Sequence, residues 1–580
     1  MLLALAGLMF PASLSAADVD AKTALDLFPA STVAYIEVTQ PRHVLDTILD
    51  HPLTKELEQQ PDFARALESP DMQQVREVVK IFEERIGEKW RPAVTKLSGD
   101  GVFIGVDLAT QGVCVLVRSR DEPLLAKTRD TFIELARQDA ADKGNDDPIK
   151  EHEYQGVKAY QIEDVYYATL GRWLIITNKA RLGQMVIDNA LDNSTANLAG
   201  EGQFQEAVKN RQGEPTAWAY VDLTVLRATG LAKRALNQKS NNPGVELLAG
   251  GILAAVPDAP YVTASVEADA KHIAVSTAIP FDPTKIADSR EFYFGPQGAG
   301  AAPKLLAPKD SIFTLSTYRD FGAMWRRAPD LFDDNVNAKF AEAESGLTTL
   351  FSGRSFGDDI LGNLQPGLRV VVARQTFGKD DITPAIKLPA VAVVLQLKNP
   401  EETARQFKIT YQSLVGFLNI AGGQNGLEPL EQDTERIGKI TLVSAKYLPP
   451  QDAAARQDAA IYFNASPSVA FVGDAFVIGS TRSLALELAK MLEQSGSESE
   501  PGVNFEMRIN GSTALQALRD NRGQLVAQNM LEKGHGAEEA ETEINLLLKI
   551  VSAFREMSAK LTTADNVLRF RWEMQLVQPQ

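Results

Sequence analysis

Five histidines (His43, His51, His152, His272 and His535) and one cysteine, Cys114, supply all the imidazole and thiol in this chain. No two of the histidines stand at a spacing that would bring their rings onto one metal ion. Cys114 lies in the run Gly112-Val113-Cys114-Val115-Leu116-Val117, where a thiol serves as a small buried hydrophobe. A low-pKa cysteine wants a cationic neighbour or a helix N-terminus, and a lone cysteine closes no disulfide within the chain. Carboxylates are more plentiful. Asp139, Asp142, Asn145, Asp146 and Asp147 surround Gly144, but calcium loops need oxygen ligands at alternating positions with glycine at the bend. The spacing here is wrong for that, and a solvated loop is the better reading. Asp330, Asp333 and Asp334 read as an exposed acidic helix end. Glu37 and Asp107 stand in strands that could face a cleft, but neither has a paired partner for general acid–base work.

Two short motifs fail on their context. Asp320-Phe321-Gly322 spells the magnesium-binding triplet of protein kinases, without the glycine-rich loop, strand lysine and His-Arg-Asp that would accompany it. Gly99-Asp100-Gly101 with Gly105 resembles a phosphate-binding turn, yet the segment continues as a strand and opens no helix N-terminus. A Walker A sequence, a His-Glu-x-x-His helix and a Gly-x-Ser-x-Gly elbow are all missing from the sequence. No catalytic, cofactor-binding or metal-ligating residue is therefore assigned, no cofactor is expected, and the chain does not read as an enzyme. One aromatic concentration remains: Tyr154, Tyr160, Tyr166, Tyr167, Trp173, Trp218 and Tyr220. These could form a binding face, but half-buried strands favour the same side chains, and strand packing is the preferred account.

The elements that carry these residues recur in order. Ala168-Thr169-Leu170-Gly171-Arg172-Trp173-Leu174-Ile175-Ile176-Thr177-Asn178 aligns without a gap on Ala470-Phe471-Val472-Gly473-Asp474-Ala475-Phe476-Val477-Ile478-Gly479-Ser480, and Leu182 then falls opposite Leu484. Each stretch predicts a hairpin whose glycine takes positive φ. Asn178 or Ser480 is placed to cap the helix that follows, and in the second copy that helix carries Leu484, Leu488, Met491 and Leu492 on one face. Phe28 to Ile36 matches Ala307 to Leu315, each a proline turn feeding a strand. Val102 to Asp107 with Val113 to Arg118 predicts a strand pair leading through Asp121-Glu122-Pro123 into a helix reaching Ala136. Arg369 to Arg374 with Val391 to Leu397 leads likewise through Asn399-Pro400-Glu401-Glu402, with capping-box spacing, into a helix reaching about Leu418. Near each copy's end, Ala268 to Ile273 parallels Ala564 to Arg569. Strands in hairpins, alternating with helices, predict an α+β fold: two tandem copies of a mostly antiparallel sheet with helices packed on it. The boundaries expected are 1–17 for a signal peptide, 18–294 for the first module, 295–304 for a Gly/Pro/Ala linker and 305–580 for the second module.

Composition fits this reading. The chain has 580 residues, 44% hydrophobic and 23% charged, close to the average for globular proteins. Its formal charge of −17 repels phosphate backbones at long range, so nucleic acid is not expected as a partner. Leu2 to Phe10 is an apolar run ending at Pro11, and Ser15 and Ala17 fit the small positions of a signal-peptidase site, with cleavage after Ala17 or Ala16. That run is too short to span a bilayer, which takes about 20 residues, and no later segment is long and apolar enough to be a transmembrane helix.

The proline-led strand near the mature N-terminus, the recurring hairpin (Ala168 to Ile176, Ala470 to Ile478) and the signal-like start resemble the bacterial domain of unknown function 3352 family, in the style of exported planctomycete-type proteins. The resemblance spans nearly the whole mature chain and implies export and a repeated α+β unit; it brings no activity, cofactor or catalytic residue. The expected function is that of a non-catalytic exported protein of the periplasm, cell envelope or extracellular space, working through surfaces as an interaction or scaffold component. The first alternative is a carrier of an apolar or lipid-like ligand in a cavity between sheet and helices; the second is a hydrolase with an unrecognised site.

Overall fold

Apolar residues at every second position build the strands of this chain, and helices cover the sheets that result. The computed structural model describes residues 19–50, 54, 58, 68–192, 196–228, 239–351, 353–378, 381–424, 428–448, 457–496 and 498–577. The expected signal segment and its cleavage site lie outside these residues. The fold is α+β, and the chain packs as two units: 1–228 with 260–270, and 229–259 with 271–580.

The first unit contains β1 (Thr32–Val38), β2 (Val102–Asp107), β3 (Gly112–Arg118), β4 (Ile149–Tyr154), β5 (Val157–Ile162), β6 (Val165–Leu170), β7 (Trp173–Thr177), β8 (Ala217–Asp222) and β9 (Tyr261–Ala268). They lie in the order β4-β5-β6-β7-β3-β2-β1-β8-β9, each antiparallel to its neighbours. One face of this sheet buries Tyr35, Cys114, Leu116, Trp173, Ile175 and Trp218 against Leu182 and Val186 of the helix Ala180–Leu191 and Phe204 of the helix Gly202–Lys209. Each aliphatic side chain so buried contributes about 1.5–3 kcal/mol. Tyr35 meets Phe28, Phe204 and Trp218 edge-on, the geometry that aromatic quadrupoles favour. Gly105 makes the room: a Cβ there would stand 2.4 Å from the Phe28 ring. On the other face, Ile133 of the helix Glu122–Asp142 packs with Tyr167 and Ile149. That helix is capped by Asp121, which accepts from the Leu124 amide.

The second unit contains β10 (His272–Pro280), β11 (Ser311–Thr317), β12 (Leu368–Ala373), β14 (Ala390–Gln396), β15 (Leu430–Ile437), β16 (Ile440–Tyr447), β18 (Ser468–Val472), β19 (Ala475–Gly479), β20 (Val503–Asn510), β21 (Phe554–Ala564) and β22 (Val567–Leu576). Their order is β15-β16-β18-β19-β14-β12-β11-β20-β21-β22-β10, antiparallel throughout. Two short strands, β13 (Thr383–Pro384) and β17 (Gln457–Ala459), pair in parallel apart from it. Leu484, Leu488 and Leu492 of the helix Arg482–Ser495 are buried on one face, with Met491 half-buried beside them. Phe407, Tyr411 and Val415 of the helix Pro400–Gln424 cover the other.

Local expectations meet the structure unevenly. Gly171 (φ +55°) and Gly473 (φ +58°) turn the two hairpins. Asn178 and Ser480, expected as helix caps, instead extend the β3–β7 and β14–β19 ladders: the Asn178 side chain accepts from the Val113 amide at 2.8 Å and Ser480 from the Val391 amide at 2.9 Å. The capping positions are one residue later, at Lys179 and Thr481, and Thr481 accepts from Leu484. The helices Glu122–Asp142 and Pro400–Gln424 run further than their apolar pattern suggested, which reached Ala136 and about Leu418. The stretch 295–304 lies inside the second unit. Its small residues permit close backbone packing: a Cβ on Gly300 would stand 2.5 Å from the Phe294 carbonyl, and buried Ala302 donates its amide to Val503. Residues 239–259 also belong to that unit, because the helix Pro243–Ala255 seats Gly251 against the Tyr293 ring while Glu246 pairs with Arg290 at 2.9 Å.

Candidate functional site

The hairpins β4–β5 and β6–β7 place four residues in one row across the strands: His152, Ala159, Ala168 and Ile175. Residues directly opposite in a ladder hold their Cβ atoms about 5 Å apart on one face, so the row makes a floor with alanines at its centre. Across from it stands the helix Ala180–Leu191, whose Ala180, Gly183, Gln184 and Ile187 fall at i, i+3, i+4 and i+7 and share a face. Because four of these positions carry only Ala or Gly, sheet and helix do not close. A cleft of about 230 Å³ remains, bordered also by Tyr154, Tyr166 and Thr177.

The cleft has an apolar depth and a polar mouth. Ala168, Ile175 and Ile187 are buried. At one end the Tyr154 hydroxyl donates to Asp188 at 2.9 Å, and Gln155 donates to the same carboxylate at 2.6 Å. At the other, the His152 and Tyr166 rings lie 6.2 Å apart and tilted by 48°, and His152 Nε2 meets Gln161 Oε1 at 3.0 Å. No hydrogen bond among the described residues uses the Tyr166 hydroxyl or the Gln184 amide. The lining contains a single carboxylate, Glu153, so no pair of acids stands in it. What this arrangement can do is hold a small, largely apolar molecule and bond its polar end.

The second unit fills the corresponding place. Its row across β15, β16, β18 and β19 is Glu435, Leu442, Ala470 and Val477. Leu442, completely buried, stands where the first unit has Ala159. Arg482 stands where the first unit has Ala180, and it grips Glu435 through two bonds of 2.8 and 2.7 Å. A leucine plugs the depth and an ion pair spans the mouth.

Of the residues singled out in the sequence, His152, Tyr154 and Tyr166 border the cleft, while Cys114 and the carboxylates other than Glu153 lie elsewhere. Glu37 is buried, accepting from the Tyr35 hydroxyl at 2.8 Å and pairing with Arg211, whose guanidinium lies over Trp218. Burial, and then the Glu37 charge, push the Tyr35 phenol up. Asp107 accepts from Ser31 and from the Thr110 amide at 2.7 Å, closing the β2–β3 turn. Cys114 is fully buried and burial pushes its thiol up. Asp139 pairs with Lys143, and Asp147 with Arg137. Asp333 and Asp320 cap the helices that follow them, and Asp330 pairs with Arg327. Asp100 pairs with Arg120 and Arg172; burial pushes its carboxyl up, but the two guanidinium groups outweigh that and hold it low. Among the described residues no group of three or more His, Cys, Asp or Glu could hold a metal ion, and no helix is long and apolar enough to cross a membrane.

The aromatic concentration divides. Trp173, Trp218 and Tyr220 are core. Tyr160 and Tyr167 stack on the opposite face of the sheet at 5.6 Å, where burial moves the Tyr167 phenol up to about 12. Tyr154 and Tyr166 border the cleft. Of the residues that matter most to the opening, Ala180 is noticeable in the sequence only as a small residue set against Arg482 when the gap-free alignment is extended, while Ala159 and Gly183 carry no such signal.

A second depression, of about 570 Å³, is bordered by Thr39, Gln40, Arg42, His43, Asp46 and Arg120. Its charges are matched internally, Arg42 to Asp46 at 3.3 Å and Arg120 to Asp100 at 2.7 Å, and His43 is bonded to the Ala268 carbonyl.

No family model matches this chain, and no curated protein matches it. Among solved structures, crystal forms III, I and IV of TP0453 are similar to it, with TM-scores of 0.24, 0.24 and 0.26 and identities of 9%, 10% and 10%. The likeness covers 45%, 45% and 51% of this chain and 80%, 79% and 92% of that one. At that level it carries no argument about function.

Proposed function

We propose that this is an exported, non-catalytic binding protein, built from two copies of one α+β unit, of which the first keeps a ligand cleft and the second has closed it. The observation that carries the reading is the contrast between Ala159 with Ala180, which leave an opening, and Leu442 with the Arg482–Glu435 pair, which fill one. Four facts support the duplication. The strand orders of the two units correspond from β4 through β9 and from β15 through β21. Both first strands shift register at matching residues, between Thr32 and Ala34 and between Ser311 and Phe313, and such bulges persist within families. Asn178 and Ser480 make the same bond at the end of a ladder. The ordered sequence matches run alongside.

Export follows from the Leu2–Phe10 run and the small residues before Asp18, and the resemblance to the domain of unknown function 3352 family belongs to the same reading. A cleft of about 230 Å³ is small beside the roughly 300–1,000 Å³ of drug-sized ligand sites, which argues for a compact ligand over a lipid chain. An envelope protein partner is the second reading. The helix Pro400–Gln424 favours it by leaving Phe417 and Ile420 64% and 66% exposed, since exposed apolar patches mark interaction surfaces.

The test is purification of the mature protein from its native host under mild conditions, with mass spectrometry of whatever accompanies it. A stoichiometric small molecule that is lost in Ala159→Leu supports the cleft, and a protein partner without one supports the second reading. Turnover that a point mutation abolishes would sink the non-catalytic reading. The mature N-terminus, read from the same sample, tests export.

A further inference from the structure

We infer that the cleft of the first unit takes a neutral one- or two-ring aromatic group carrying a single hydrogen-bonding substituent; this rests on the binding reading above and names its ligand class. Four observations converge. The volume of about 230 Å³ exceeds the roughly 150 Å³ of an apolar cavity that accepts benzene and leaves room for a second ring. The depth is apolar, made by Ala168, Ile175 and Ile187, and matches a ring better than a charged group. The tilted His152 and Tyr166 rings at the mouth offer aromatic surfaces for offset or edge-on contact. The Gln184 amide and Tyr166 hydroxyl, unused by other described residues, supply both a donor and an acceptor for one polar substituent. Glu153 on the rim and the overall charge of −17 disfavour an anion. The same chemistry could arrive as a free small molecule or as a tyrosine or tryptophan side chain at an accessible point of a partner chain.

The experiment uses the full mature chain with indole, p-cresol, N-acetyltryptophanamide and cyclohexanol, each titrated by ligand-observed NMR. Indole and p-cresol are expected to bind with a dissociation constant on the order of 1 mM or below, as their atom count allows. Ala159→Leu, which copies the plug of the second unit, is expected to weaken both at least about tenfold by filling the site. Ala180→Arg with His152→Glu, exposed changes that together copy the mouth of the second unit, is expected to act in the same direction and guards against a folding defect in the first variant. Gln184→Leu is expected to weaken indole by roughly 3–10-fold, the value of one hydrogen bond. Binding of N-acetyltryptophanamide as tight as indole assigns the group to a side chain of a partner; binding of indole alone assigns a free molecule. The inference is overturned if cyclohexanol binds as well as p-cresol, if neither aromatic probe binds at concentrations on the order of 10 mM, or if indole binds both filled variants as it binds the native chain. A ring-free molecule recovered with the native protein and expelled by Ala159→Leu would defeat the aromatic assignment while leaving the binding reading intact. If that substitution changed neither native cargo nor probe binding, both would fall.

Discussion

Replacing Ala159 by leucine asks the folded protein, with no ligand present, whether the cleft is usable space. Ala159 is half-buried at the centre of the row His152–Ala159–Ala168–Ile175. A leucine adds three carbons, and burying them is worth about 0.8 kcal/mol each, so full seating would stabilise the first unit by up to roughly 2 kcal/mol. In a close-packed site the same change costs about 1–3 kcal/mol through overpacking. The sign therefore separates an open cleft from a packed one. The converse change supplies the control. Leu442 is 0% exposed, and Leu442→Ala should destabilise the second unit by about 2–5 kcal/mol. Because two units need not unfold together, hydrogen exchange at the β5–β7 amides for the first variant and the β16–β19 amides for the second reads each unit separately. Opening free energies that rise or stay level in Ala159→Leu and fall in Leu442→Ala agree with the reasoning. A loss of more than about 1 kcal/mol in Ala159→Leu would refute it, since the leucine would then have met a wall.

Three further outcomes are expected. Arg319 is 1% exposed, lies 3.4 Å over the Tyr293 ring, and donates to the Leu247 carbonyl and Asn504 Oδ1, each at 2.7 Å. Arg319→Met strands the buried Asn504 Oδ1 at about 1–3 kcal/mol and removes the bond to the Leu247 carbonyl, so urea unfolding of the second unit should move down by more than about 1 kcal/mol; an unchanged midpoint would contradict this. Gly251→Ala puts a Cβ 2.2 Å from the Tyr293 ring and should cost about 1–3 kcal/mol by overpacking, seen as faster exchange in the helix Pro243–Ala255. Glu344 accepts from Ser355 Oγ at 3.0 Å and from the Phe356 and Gly357 amides at 2.8 and 3.2 Å. Burial pushes its carboxyl up, but those bonds outweigh burial and hold it below the usual 4.5. Its contribution is therefore present above the unfolded value and lost as pH falls through the lower folded one. Glu344→Gln should flatten stability against pH below about 4.5, and an unaltered acid slope would count against it.

Much of the local structure was legible because its causes are local. Glycine at a hairpin turn, proline at the first position of the 400–424 helix and apolar residues at helical spacing in the 482–495 helix act over a few residues, and the sequence by itself determined those elements and the α+β class. It also determined the bland fate of its suggestive side chains. A lone Cys114 in an apolar run had nowhere to go but a core, and Asp320 and Asp333 stand just before helices that needed caps. Tertiary structure decided the rest. Asn178 and Ser480 bond a strand 60 to 90 residues away instead of their own helices, because a strand amide at the end of a ladder competes with a helix end for the same acceptor. The 295–304 stretch packs tightly because small residues let backbones meet, a property that composition alone cannot distinguish from looseness. Residues 239–259 join the second unit through the Gly251–Tyr293 fit and the Glu246–Arg290 pair, both set by packing far along the chain. The cleft is the strongest case. Its opening depends on the register of four strands and the seating of one helix, which together bring Ala159, Ala168, Ala180 and Gly183 to one place. Each of these residues is unremarkable alone, and only their convergence leaves space.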